Sequence, residues 1–164
     1  MRKSAGAAGM VRSAYCPERR PALCAYAEDR TLRFARAEKR GGPVPIIDHQ
    51  AVGYALASAK TRIEAVRSLT WRACHALDTG SPAGRELALH AKVFGSETAV
   101  AVITDLMQVV GVDSYAHEQP LGRLLQDALA LPLFGGSNLG LRRRQLHAML
   151  RDPGYDADAT VPAG

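Results

Sequence analysis

Two glycine-containing stretches hold the residues through which this chain could handle a ligand. One is Gln108 with Gly111, at the end of a long helical pattern. The other is Phe134-Gly135-Gly136-Ser137-Asn138, followed by the basic run Arg142-Arg143-Arg144. Backbone N–H groups at such breaks can face an anionic or heteroaromatic ligand without a side chain in the way. Each feature also has a plainer reading. Gln108 is a surface amide before a glycine-type helix terminus, and Arg142 is part of a solvated run. Lys39 and Arg40 place cations at a further helix end, before Gly41-Gly42. The histidines, His49, His75, His90, His117 and His147, show no H-x-x-x-H spacing, and neither a Ser–His–Asp set nor a phosphate-binding P-loop is visible. Cys16, Cys24 and Cys74 are odd in number and widely spaced, matching neither a zinc pattern nor a disulfide framework.

The elements that must position these residues read as helices. Ala22 to Arg40 is expected to be helical, with Leu23, Ala27, Leu32 and Ala35 on one side and a stop at Gly41-Gly42, Pro43 and Pro45. Before it, Pro17 and Pro21 argue against a continuous helix, since an interior proline costs about 3 kcal/mol. Asp48 is the expected N-cap of the next helix. Along that helix Val52, Leu56, Ala59, Ile63, Val66, Thr70, Ala73 and Leu77 alternate four and three apart, the repeat of antiparallel bundle packing. Lys60 and Glu64 form an i,i+4 pair on another face. After a loop over residues 78–84, a helix of roughly 85–110 carries a stripe of Leu89, Val93, Val100, Ile103, Met107 and Val110. Short helices at about 121–131 and 139–150 complete the pattern. The expected organisation is a poorly legible, altered N-terminal segment over residues 1–28, an all-α antiparallel four-helix bundle over 29–151 and a flexible tail over 152–164.

Composition agrees with helices: apolar residues make up 47% and aromatic residues only 5%, a balance unlike that of a β-sandwich. No unbroken apolar run approaches the ~20 residues that span a bilayer, and the basic N-terminus lacks the apolar core of a secretory signal. The expectation is no membrane partner and a cytoplasmic location. The net charge of +5 raises the possibility of a nucleic-acid partner. However, residues 1–40 hold ten Lys/Arg against four Asp/Glu, and residues 41–164 eleven against twelve. The basicity sits in an irregular segment without interleaved aromatic residues, so no nucleic acid is expected.

The order of residues is more specific than the periodicity. Thr104-Asp105-x-x-Gln108-x-x-Gly111, then Glu118-x-Pro120, then Asp127-Ala128, then Phe134-x-Gly136-Ser137 resembles the C-terminal domain of the acyl-CoA dehydrogenase family of flavoproteins. The segment LPLFGGSNLGLRRRQLHAMLRDPGYDA looks most like its nitroalkane-oxidase branch. The resemblance covers residues from about 32 to 157. It implies FAD as cofactor, with Gln108 and Gly111 along the flavin, Lys39 approximating a family arginine, and Gly136, Ser137 and Asn138 at flavin- or turn-forming positions. It also implies that Gly135 occupies the place of the family's catalytic carboxylate, a Glu in medium-chain acyl-CoA dehydrogenases and an Asp in nitroalkane oxidase. Glycine cannot accept a proton, so the base is absent. Glu18 is a weak substitute, flanked as it is by prolines. Arg142 matches an arginine that keeps the family's Asp ionised, the opposite-charge effect on a carboxylate.

Two functions follow as expectations. The first is the C-terminal helical domain of an FAD-dependent oxidoreductase acting on CH–CH or C–nitro small-molecule substrates. It would be a fragment, inactive alone, completed by missing N-terminal dehydrogenase domains or by homo-oligomerisation. The second is a non-catalytic helical-bundle oligomerisation module or remnant.

Overall fold

The computed structural model describes residues 19–161. Pro17 and Glu18 lie outside the described residues, as does most of the segment expected to be irregular. Among the described residues every regular element is helical. The long helices are α1 (Arg19–Ala37), α2 (Gln50–Asp78) and α3 (Gly84–Val110). The short ones are α4 (Leu121–Ala130) and α5 (Arg143–Leu150). The chain folds as an all-α bundle, with α3 packed against α1, α2 and α4.

Helix α1 starts and stops three residues earlier than its pattern suggested. Pro21 falls in its first turn, where the missing N–H has no intrahelical partner to lose. At the other end the Glu38 carboxylate accepts from the Lys39 and Arg40 amides at 3.0 and 2.7 Å. Arg40 and Gly41 then turn with φ of 49° and 76°, so the chain leaves the helix before the glycines. Asp48 does not cap α2. It closes a 3-10 turn (Ile46–Asp48), and His49 precedes α2 without a side-chain cap. The His49 N–H bonds to the Ile46 carbonyl, so the tight turn supplies the entry geometry that a cap would otherwise provide.

The seam of α2 matches its repeat closely. Leu56, Ala59, Ile63, Val66, Thr70 and Ala73 are buried; at the first turn Val52 is only half-buried, and at the last Ala76 replaces Leu77. α2 and α3 form an antiparallel hairpin. The Ser81 amide bonds back to the Ala76 carbonyl at one end, and Arg62 pairs with Asp105 at 2.5 Å toward the other. Gly84 permits the close approach at the turn, because a Cβ there would stand 3.0 Å from the Ala76 carbonyl oxygen. Lys60 bridges to Glu64 at 3.0 Å and to Glu28 of α1 at 3.7 Å.

Helix α3 is buried on more than one side. Leu89, Ile103, Met107 and Val110 are buried, but Val93 and Val100 are only half-buried, while Lys92, Ser96, Ala99, Val102 and Leu106 are fully enclosed. A helix with neighbours on three sides has no single stripe. Residues Gly84–Tyr115 are also long and apolar enough to cross a bilayer by length and composition, and half of that stretch's most apolar window is buried inside the fold. Ile63 and Ile103 meet in the main core. Truncation of either to alanine is expected to cost about 2–4 kcal/mol, measured by urea unfolding. Cost-free substitution at both would contradict this packing.

Candidate flavin-facing loop and the end of α3

The chain between α4 and α5 is a loop whose shape is set by its own backbone. The Phe134 amide bonds to the Ala130 carbonyl at 3.0 Å, and the Asn138 amide reaches back to the Pro132 carbonyl at 2.9 Å. Between them Gly135 and Gly136 take φ of 64° and 89°. At Gly136 the positive φ favours glycine, and a Cβ would in addition displace the Leu141 side chain, whose Cδ2 would lie 2.4 Å away. Ser137 then opens a single π-type turn (Asn138–Arg142), its Oγ accepting the Gly140 N–H at 2.9 Å. The Arg142 and Arg143 amides bond five residues back, to the Ser137 and Asn138 carbonyls. Such a turn inserts one residue into the helical register.

That register separates the three arginines. Arg142 is buried, whereas Arg143 and Arg144 are exposed. The Arg142 Nη2 donates to the carbonyl oxygen of Gly135, and its Nη1 to Gln145 Oε1 at 2.9 Å. The fold therefore brings Gly135 and Arg142 together. Beside them Phe134 is 65% exposed, and Leu133 and Leu139 also face outward.

Asn138 is spent inside the fold. Its Oδ1 accepts from Lys92 Nζ at 3.0 Å, and its Nδ2 donates to Ser96 Oγ at 2.8 Å and Glu97 Oε1 at 3.1 Å. Lys92 Nζ donates also to the Leu131 carbonyl at 2.6 Å. Burial alone would raise the Glu97 carboxyl, but hydrogen bonds from Arg143 and Asn138 outweigh it and hold it below the usual carboxylate range. Lys92, only 1% exposed, is the residue that sequence reasoning missed. Its one signal is position: Leu89, Lys92 and Ser96 share a buried face at spacings of three and four.

The second group lies at the C-terminal end of α3. Gly111 turns the chain with φ of 71°, its N–H bonded to the Met107 carbonyl. Gln108 is exposed and lines an open groove of about 350 Å³ with Ser58, Arg62 and Asp105. The cation tied to this end is Arg40, while the Lys39 side chain is exposed. Arg40 Nη2 donates to the Val110 carbonyl and pairs with Asp113 at 3.0 Å, with its guanidinium over the Phe34 ring. The two groups are not one site. From Ser96, which holds Asn138, to Gln108 is twelve residues of helix, about 18 Å at 1.5 Å per residue.

Residues 19–150 match the family description "Acyl-CoA dehydrogenase, C-terminal domain". The chain belongs to the acyl-CoA dehydrogenase family. It is 46% identical over 138 residues to the nitroalkane oxidase of Podospora anserina, covering 82% of this chain and 32% of that protein. A solved structure of Podospora anserina nitroalkane oxidase superposes with a TM-score of 0.87 at 41% identity, covering 93% of this chain and 37% of that one. The structure of PigA with FAD and proline superposes at 0.79 and 25% identity, covering 86% of this chain and 36% of that one. This acyl-CoA dehydrogenase C-terminal domain thus spans about a third of the length of the relatives it matches. Its relatives are FAD flavoproteins. Toward FAD the residues present fit in part: Gln108 offers an exposed side-chain amide, whereas Gly136 is packed against Leu141 and the Asn138 amide is already engaged.

Proposed function

We propose that this domain contributes one wall of the flavin and substrate site of a nitroalkane-oxidase-like oxidoreductase, completed by N-terminal dehydrogenase domains and a second copy of the bundle. The observation that carries the reading is the Arg142 guanidinium seated on the Gly135 carbonyl. By the family resemblance, this is a buried cation at the position that would correspond to the family's proton-abstracting carboxylate. FAD, when bound, would supply the acceptor for substrate electrons. Gln108, Gly111, Gly136 and Ser137 would hold it, and the exposed Leu133, Phe134 and Leu139 would pack against the completing domains. The separation of the two residue groups along α3 favours two flavins shared between copies over one flavin on one copy.

A second reading rests on Gly135 itself. Without a carboxylate there, the bundle is a non-catalytic assembly module that keeps the family's fold and loses its base. Both readings expect the 164-residue chain alone to retain little FAD, because most of the enclosing surface is contributed by other parts. The purified chain should leave a column colourless, and equilibrium dialysis at micromolar FAD should show less than about one-tenth occupancy. A stoichiometric yellow protein would overturn the shared-site reading. Reconstitution with the N-terminal domains of a nitroalkane oxidase separates the two readings: flavin capture supports the first, and failure to capture it supports the second.

A further inference from the structure

We infer that the cavity between α1, the turn after α3 and the start of α4 binds a phosphomonoester dianion. Its volume is about 640 Å³, within the range of small-molecule sites. Ser114 lines it, is 1% exposed, and its Oγ has no hydrogen-bond partner. Arg30, on α1, lines the same cavity, and its Nε is likewise buried without a partner. A fold seldom leaves two such groups together unless something outside the chain satisfies them.

The third element is the start of α4. Pro120 precedes it, and no side chain caps its first amides. The N–H groups of Leu121, Gly122 and Arg123 have no intrahelical partner, and the helix end is electropositive. A Cβ on Gly122 would lie 3.6 Å from the Ser114 carbonyl oxygen, so the helix start packs against the backbone of the residue that carries the orphan hydroxyl. Arg123 and His117 add donors, and Glu118 is the single carboxylate on the wall. One hydroxyl, two guanidinium groups and a row of amides exceed what the two oxygens of a carboxylate need, and suit the three oxygens of a phosphoryl group. Half-exposed Tyr26 leaves a surface for the organic part.

The inference is independent of flavin binding and is tested on the chain itself. Ribose 5-phosphate, phenyl phosphate and orthophosphate are titrated while the amide resonances of Gly122 and Arg123 are followed by NMR. The expected result is a saturable shift of both amides, with a Kd of about 1 mM or tighter for at least one organic phosphate. The tighter of the two identifies the organic part as sugar-like or aromatic. Ser114→Ala should weaken binding about tenfold, the value of one charge-assisted hydrogen bond. Thermal unfolding should stay level or rise in that variant, because the hydroxyl has no internal partner to lose. Arg30→Gln should weaken binding to a similar degree, while Arg72→Gln, exposed on α2, should leave it unchanged. Shifts that never saturate, or undiminished binding in both the Ser114→Ala and Arg30→Gln variants, would overturn the site.

Discussion

Replacing Gly135 with aspartate is expected to raise proton abstraction by at least ~10²-fold, the lower range for a positioned general base. The setting is a chimera that joins residues from Leu32 onward to the N-terminal domains of a nitroalkane oxidase. Gly135 turns with φ of 64°, a left-handed conformation that aspartate tolerates better than most side chains. The Arg142 guanidinium already donates to the Gly135 carbonyl, so a carboxylate two bonds from the Gly135 Cα is created close to a fixed cation. An adjacent cation favours the ionised form and lowers the carboxylate pKa. The acid limb of kcat/KM should therefore lie at low pH in the Gly135→Asp chimera. It should move to higher pH when Arg142→Gln is added, because the stabilising charge is gone. Flavin absorbance shows that the chimera is loaded before rates are compared. Equal rates in the loaded parent and its Gly135→Asp variant would place the base elsewhere and remove Gly135 from the site.

What could be read from the sequence follows how many sides of each helix are covered. α2 packs through one continuous seam, so its repeat from Leu56 to Ala73 maps directly onto buried positions. α3 has neighbours on several sides, and a one-stripe description left out Lys92, Ser96, Ala99 and Leu106. Local competition explains the misplaced ends: a tight turn displaced Asp48 from the cap, and the Glu38 side chain ended α1 before Gly41. The motif order from Thr104 to Ser137 named the family that residues 19–150 match, because it depends on residue order and not on packing detail. Periodicity gave no means of choosing which of three consecutive arginines is buried, whereas the family resemblance singled out Arg142, the one that is. The choice depends on a π-type turn that adds one residue to the register. The hydrogen bond joining Lys92 to Asn138 spans 46 residues of chain, beyond any local pattern.

That bond is where the loop's position is decided. Lys92→Met is expected to cost about 3 kcal/mol, or about 6–12 °C in Tm for a chain of this size. Methionine fills much the same volume without the ammonium group. The substitution therefore isolates the donor: the Leu131 carbonyl and Asn138 Oδ1 both lose their charged partner inside the fold. Hydrogen bonds to a charged group contribute about 1.5–3 kcal/mol each, and an acceptor left buried adds its desolvation cost. Against this stands the cost of burying the ammonium in the parent, which its removal recovers in part. Two lost charged bonds outweigh that recovery, because both acceptors stay enclosed. Lys60→Met is the control, since Lys60 pairs with Glu64 at the surface and exposed pairs contribute at most ~1 kcal/mol. The loss should also be local. Hydrogen exchange at the Asn138 and Gly140 amides should accelerate in Lys92→Met, while amides in the middle of α2 slow or speed only with global stability. If Lys92→Met cost no more than Lys60→Met, the buried lysine would not be what fixes the 131–142 loop beneath Gly135, and the placement of Arg142 would have to come from the π-type turn alone.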